Sequence, residues 1–73
     1  MSNPNNSIQD QFLTQARRDR LFLTVFLVNG FQIRCSIAAF DAFAVLVLAD
    51  GKQELIYKHA ISTIIPSVPV KTD

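Results

Sequence analysis

With one cysteine, Cys35, and one histidine, His59, the chain can neither close an internal disulfide nor assemble a Cys/His metal cluster, and a reducing compartment suits it. Long apolar runs are missing as well: LFLTVFLV, beginning at Leu21, falls far short of the roughly 20 residues that cross a bilayer. The opening MSNPNNSIQDQ has neither the basic region nor the apolar stretch of a secretory signal, so a cytoplasmic location and no membrane partner are expected. No charge of one sign dominates. Seven Lys and Arg against six Asp and Glu leave +1, far from the basic balance that by itself announces a nucleic-acid binder. No P-loop, carboxylate cluster or nucleophile arrangement is signalled either, which counts against a nuclease or nucleotide hydrolase; no cofactor or metal is expected.

Apolar material is what the chain has in excess. It is 49% hydrophobic, with six phenylalanines in 73 residues. A single domain of this size buries only about 60% of the surface its unfolded chain exposes, so part of that content is expected to be covered by a partner chain. Self-association is the default expectation.

The pattern predicts a flexible lead over residues 1–7 and a helix over residues 8–20, capped by Ser7, with Ile8, Phe12, Leu13 and Ala16 at helical spacing. After Arg20 the texture turns β-branched and aromatic. Leu23, Val25 and Leu27 alternate with Phe22, Thr24 and Phe26, and Asn29-Gly30 is the strongest hairpin signal, of the type I′ kind. A long second strand places Phe31, Ile33, Cys35, Ile37 and Ala39 on one face and Gln32, Arg34, Ser36, Ala38 and Phe40 on the other, until Asp41 interrupts it. Residues 43–48 form a third strand, ADGK a second turn, residues 54–58 a fourth strand and residues 62–65 a fifth. Residues 67–73 form a short tail. One helix and five short strands with tight turns point to a small, strongly bent β-barrel.

The ordered segments QDQFL, ARRDR, LVNG, FDAF and IYKHAISTIIPS resemble the Hfq branch of the Sm/LSm family, RNA chaperones, over residues 8–66. The resemblance implies an N-terminal helix on a five-stranded bent sheet, closing by edge-to-edge pairing into a homohexameric ring. It implies a function as well: binding single-stranded RNA and promoting the pairing of small regulatory RNAs with target mRNAs.

On the face of the ring that carries the helices, the family binds uridine-rich strands, and the matching residues are Gln9, Phe43, Tyr57, Lys58 and His59. A phenylalanine ring can stack on a pyrimidine, and cationic groups repeated around a pore focus a positive potential on phosphate. Without the resemblance, Phe43 in FAVLVL reads as a core aromatic, Lys58 as a residue snorkelling at a rim and His59 as a structural histidine. Arg17, Arg18 and Arg20 match the family's rim patch, although three cations at a helix end also suit the helix dipole. The adenine-binding face is matched by Phe26, Leu27, Gly30, Phe31, Gln32, Ile33, Arg34, Glu54 and Thr63.

Several positions depart from the family pattern. Ala42 replaces a polar amide, Leu48 a basic rim residue, Phe26 a tyrosine and Cys35 a glycine, where packing is the expected role of the thiol. Arg34 and Glu54 both stand where glutamine is usual. An ionised glutamate only accepts hydrogen bonds, so adenine reading is expected to be weakened. Asp41 reads as a structural acceptor near a strand junction. The main rival is a purely structural ring or protein-binding adaptor, which would not distinguish uridine from adenine oligomers.

Overall fold

The computed structural model describes residues 7–70; most of the expected lead and the last three residues of the tail lie outside the described residues. Helix α1 (Ile8–Arg18) starts at Ser7, whose side chain accepts from the Asp10 N–H at 3.1 Å. Its buried side chains are Leu13 and Ala16, with Phe12 packed at the margin of the core. Ile8, expected on the same stripe, is 74% exposed. The helix ends two residues earlier than its charge pattern suggested. Asp19 caps it, the Leu21 N–H donates to the Ala16 carbonyl and the Arg20 N–H to the Arg17 carbonyl, a Schellman closure.

Five strands follow: β1 (Phe22–Leu27), β2 (Gln32–Phe40), β3 (Ala44–Ala49), β4 (Lys52–Tyr57) and β5 (Ile61–Pro66). Every neighbouring pair is antiparallel, in the order β4-β3-β2-β1-β5. The expected barrel-like sheet is present but is not closed into a true barrel within one chain: its outer strands, β4 and β5, do not pair with each other. Pro66 ends β5 on an edge, where its missing N–H costs no ladder bond.

Both hairpins form, with their turn types exchanged relative to the strength of the signals. Between β1 and β2 only Gly30 has positive φ, at 95°; the Gly30 N–H donates to the Leu27 carbonyl, and Asn29 Oδ1 accepts from the Phe31 N–H at 3.0 Å. That is a three-residue loop with a left-handed glycine. The type I′ geometry, positive φ at two successive residues, occurs at Asp50 and Gly51 between β3 and β4.

A bulge decides which side chains reach the core. Ile37 pairs with Val47 and Ala39 with Leu46, leaving Ala38 as an extra residue. Beyond it the alternation changes phase: Ala39 is exposed and Phe40 packs on the core, the reverse of the simple period-two expectation. Cys35 lies before the bulge and is 1% exposed, among Leu23, Val25, Ile37 and Val47 in the core.

Burial, with Glu54 adding to it, pushes the Cys35 thiol up to about 11. The neutral thiol is thus the folded form at physiological pH. Iodoacetamide at pH 7 to 8 should leave native protein unmodified and react fully once guanidinium unfolds it; rapid alkylation of native protein would contradict this burial.

Candidate nucleic-acid interface

Between β2 and β3 the chain must turn sharply, and Asp41 organises that turn. Its Oδ1 accepts from the N–H groups of Phe43, at 2.8 Å, and Ala44, at 2.9 Å, while its own N–H donates to the Ala44 carbonyl. These bonds, the Phe43 one foremost, hold the carboxyl below its ordinary range, with Lys58 adding to the effect. Phe43 sits one residue before β3 and is 77% exposed. A side chain that strand periodicity alone would bury is instead presented to solvent on a tied loop.

The segment carrying Lys58 and His59 is not strand. β4 stops at Tyr57, and Lys58–Ala60 form a single 3-10 turn into β5. The Lys58 N–H donates to the Phe43 carbonyl at 2.8 Å, which ties the turn to the loop. The Lys58 ammonium stands 3.9 Å from Asp10 and 5.7 Å from the centre of the Phe40 ring. Gln9 and Ala42 line the same groove. Tyr57 and His59 stack on one another, with ring centres 5.9 Å apart and planes 14° from parallel. Gln9, Phe43 and Lys58 are thus gathered at one end of the sheet, with the Tyr57–His59 pair beside them. Asp10 and Phe40 escaped sequence reasoning; the first is hidden in a helix-capping position, and the second is brought there by the bulge.

The three arginines are unequal. Arg17 Nε donates to the Ala38 carbonyl at 3.2 Å, across the bulge where ladder bonding is interrupted. Arg18 is exposed in the last turn of α1. Arg20 holds a φ of 53° at the position where helices usually place glycine. All three border a groove over Ser36, Ala38 and Leu48.

On the sheet's outer face, Gln32, Phe26 and Thr63 form one cross-strand row, with Gly30 and the exposed Phe31 at its end. Leu27 and Ile33 pack against the core instead. Arg34 shares its face with Thr24, whereas Glu54 pairs with Val47 and shares the Cys35 face. Within one chain, Arg34 and Glu54 therefore point to opposite sides of the sheet. Among the described residues, no group of three His, Cys, Asp or Glu could hold a metal, and no helix is long and apolar enough to cross a membrane.

Comparison with known proteins agrees with this geometry. The sequence model of the family described as Hfq protein matches residues 8–71. The RNA-binding protein Hfq of Bacillus velezensis is 57% identical over 67 residues, covering 92% of each chain. That of Desulforudis audaxviator is 50% identical over 72 residues, covering 99% of this chain and 87% of its own. A crystal structure of the pleiotropic translational regulator Hfq superposes with a TM-score of 0.79 at 44% identity, over 81% of this chain and 98% of its own.

The lowered folded-state pKa of Asp41 sets the sign of a pH effect. Its stabilisation is complete above the unfolded carboxylate value, about 3.9, and is lost as pH falls through the folded value. Asp41→Asn keeps an oxygen that can accept both N–H groups, so its stability should decline less steeply than that of the natural protein between pH ~5 and ~2. Asp41→Ala should lower the melting temperature at every pH. Equal acid slopes for the natural protein and Asp41→Asn, by circular dichroism, would show that the carboxylate charge plays no part.

Proposed function

The chain belongs to the Hfq family, and from that membership we propose that it works as a noncatalytic, cytoplasmic RNA chaperone, a homohexameric ring that binds single-stranded RNA and promotes pairing of small regulatory RNAs with their mRNA targets. The observation that carries the reading is the exposed Phe43, tied by Asp41 and joined through its carbonyl to the Lys58 turn. It offers a stacking surface beside a cation, the pair of features that sequence-tolerant single-strand binding needs. Repeated around a ring, Lys58 and His59 focus positive potential on one strand. Gln9 lies within reach of a base edge, and Tyr57 holds the His59 ring in a fixed orientation by stacking.

Asp10 sets the resting state of Lys58. Their side chains are only 25% and 14% exposed, so an arriving phosphate or base oxygen exchanges with a carboxylate instead of with bulk water. That exchange favours a well-placed ligand over a diffuse one. At the rim, Arg18 and Arg20 carry the contact with the RNA body while Arg17 divides its donors between the bulge and solvent.

The opposite face is the weaker one. Phe26, Phe31, Gln32 and Thr63 still offer a surface for bases. Glu54 lacks the amide donor that would address adenine N7, and Arg34, on the Phe26 and Gln32 side of the sheet, does not share the face of Glu54 within one subunit and so does not restore that donor beside it. Titration with uridine and adenine oligomers at fixed salt tests the reading. Uridine binding should be the tighter, and Glu54→Gln should raise adenine affinity by roughly 1 kcal/mol or more per engaged site while leaving uridine affinity flat. Equal, weak affinity for both oligomers would favour a structural ring or adaptor. Tight adenine binding that Glu54→Gln leaves unimproved would overturn the inequality of the faces.

A further inference from the structure

Resting on that RNA-binding reading, we propose that Phe22, Ser36 and Leu48 form a separate base-stacking slot on the outer face of the sheet, which takes one unpaired nucleobase of a strand held by the neighbouring arginines. The three residues are successive partners in one row across β1, β2 and β3: Phe22 opposite Ser36, and Ser36 opposite Leu48. Cross-strand partners share a face, so the row is large, small, large. Phe22 is 69% exposed and Leu48 40%. With neighbouring strands about 4.8 Å apart, the two walls rise about 9 to 10 Å from one another at the backbone. After side-chain thickness is allowed for, that gap admits the plane of one base against the Phe22 ring, with the Ser36 hydroxyl at the floor.

Charge complementarity selects the occupant. Leu48 is the shared wall of two grooves, one running past Phe22, Thr24, Arg34 and Asp50, the other past Arg17, Arg18 and Arg20. Four arginines line these grooves against one carboxylate, Asp50. An exposed aromatic with arginines on either side suits a base and its adjoining phosphates; an apolar peptide would leave those cations unpaired. Leu48 thus does more than delete a rim charge: it supplies the apolar wall opposite Phe22.

The chain has no tryptophan, so Phe22→Trp places a sole indole reporter in the slot. Its fluorescence should be quenched on titration with a mixed-sequence single-stranded RNA and stay unchanged with a short uridine oligomer bound elsewhere. Phe22→Ala and Phe22→Leu should each weaken the mixed-sequence strand by about fivefold or more, with uridine-oligomer affinity unaltered. Retention of full affinity by Phe22→Leu would replace stacking with simple apolar contact and overturn the proposal. So would an indole that ignores RNA while binding proceeds, or one already buried in RNA-free protein by another segment or copy. If the natural protein bound neither RNA, the functional reading itself would fall, and the slot with it.

Discussion

Among the described residues, two rows of backbone N–H and C=O groups, one along β4 and one along β5, have no strand beside them, and much else in the molecule follows from that. The core beneath them is small, built around Leu13, Val25, Cys35, Val45 and Val47. Leu55 on β4 and Ile65 on β5 remain 57% and 52% exposed. An open edge carrying apolar side chains is a template for association, and evolution either blunts such edges or uses them. In the proposed ring the β4 edge of one copy meets the β5 edge of the next, which satisfies both rows and closes without residual edges. The turn joining these two strands carries Lys58 and His59, so in that proposed ring the paired edges would also determine where the cations gather.

Local anchoring then determines what they gather with. One carboxylate, Asp41, holds the Phe43 loop through two backbone N–H groups, and a single backbone bond from Lys58 couples that loop to the turn. The rim is built with similar economy. Arg17 satisfies a carbonyl at the bulge, and Arg20 terminates the helix in a left-handed conformation that costs a non-glycine residue about 1 to 2 kcal/mol. Arg17 is thus held by its side chain and Arg20 by its backbone, and a proposed binding surface that is partly ordered in advance would lose less entropy when RNA arrives.

Much of this was legible in the sequence, for reasons that differ by element. The helix cap, the strand order of appearance and the two turns rest on short-range chemistry, and Ser7, Asn29-Gly30 and Asp50-Gly51 announce them. The same chemistry did not say which hairpin takes the type I′ geometry, because loop length depends on strand register. The bulge at Ala38 was invisible, since alternating small and apolar residues fit either phase, and with it went the inward place of Phe40 and its contact with Lys58. Open edges in place of a closed barrel reflect hydrogen bonding that one chain cannot complete alone. The candidate RNA residues came from the resemblance; periodicity by itself would have buried Phe43.

The central claim is that edge pairing assembles one shared site from many copies. Native mass spectrometry of the protein with a short uridine oligomer measures assembly size and stoichiometry together. The account predicts a closed homohexamer that takes about one strand per six chains on its pore face. A folded monomer, or one strand bound independently by each chain, would contradict it.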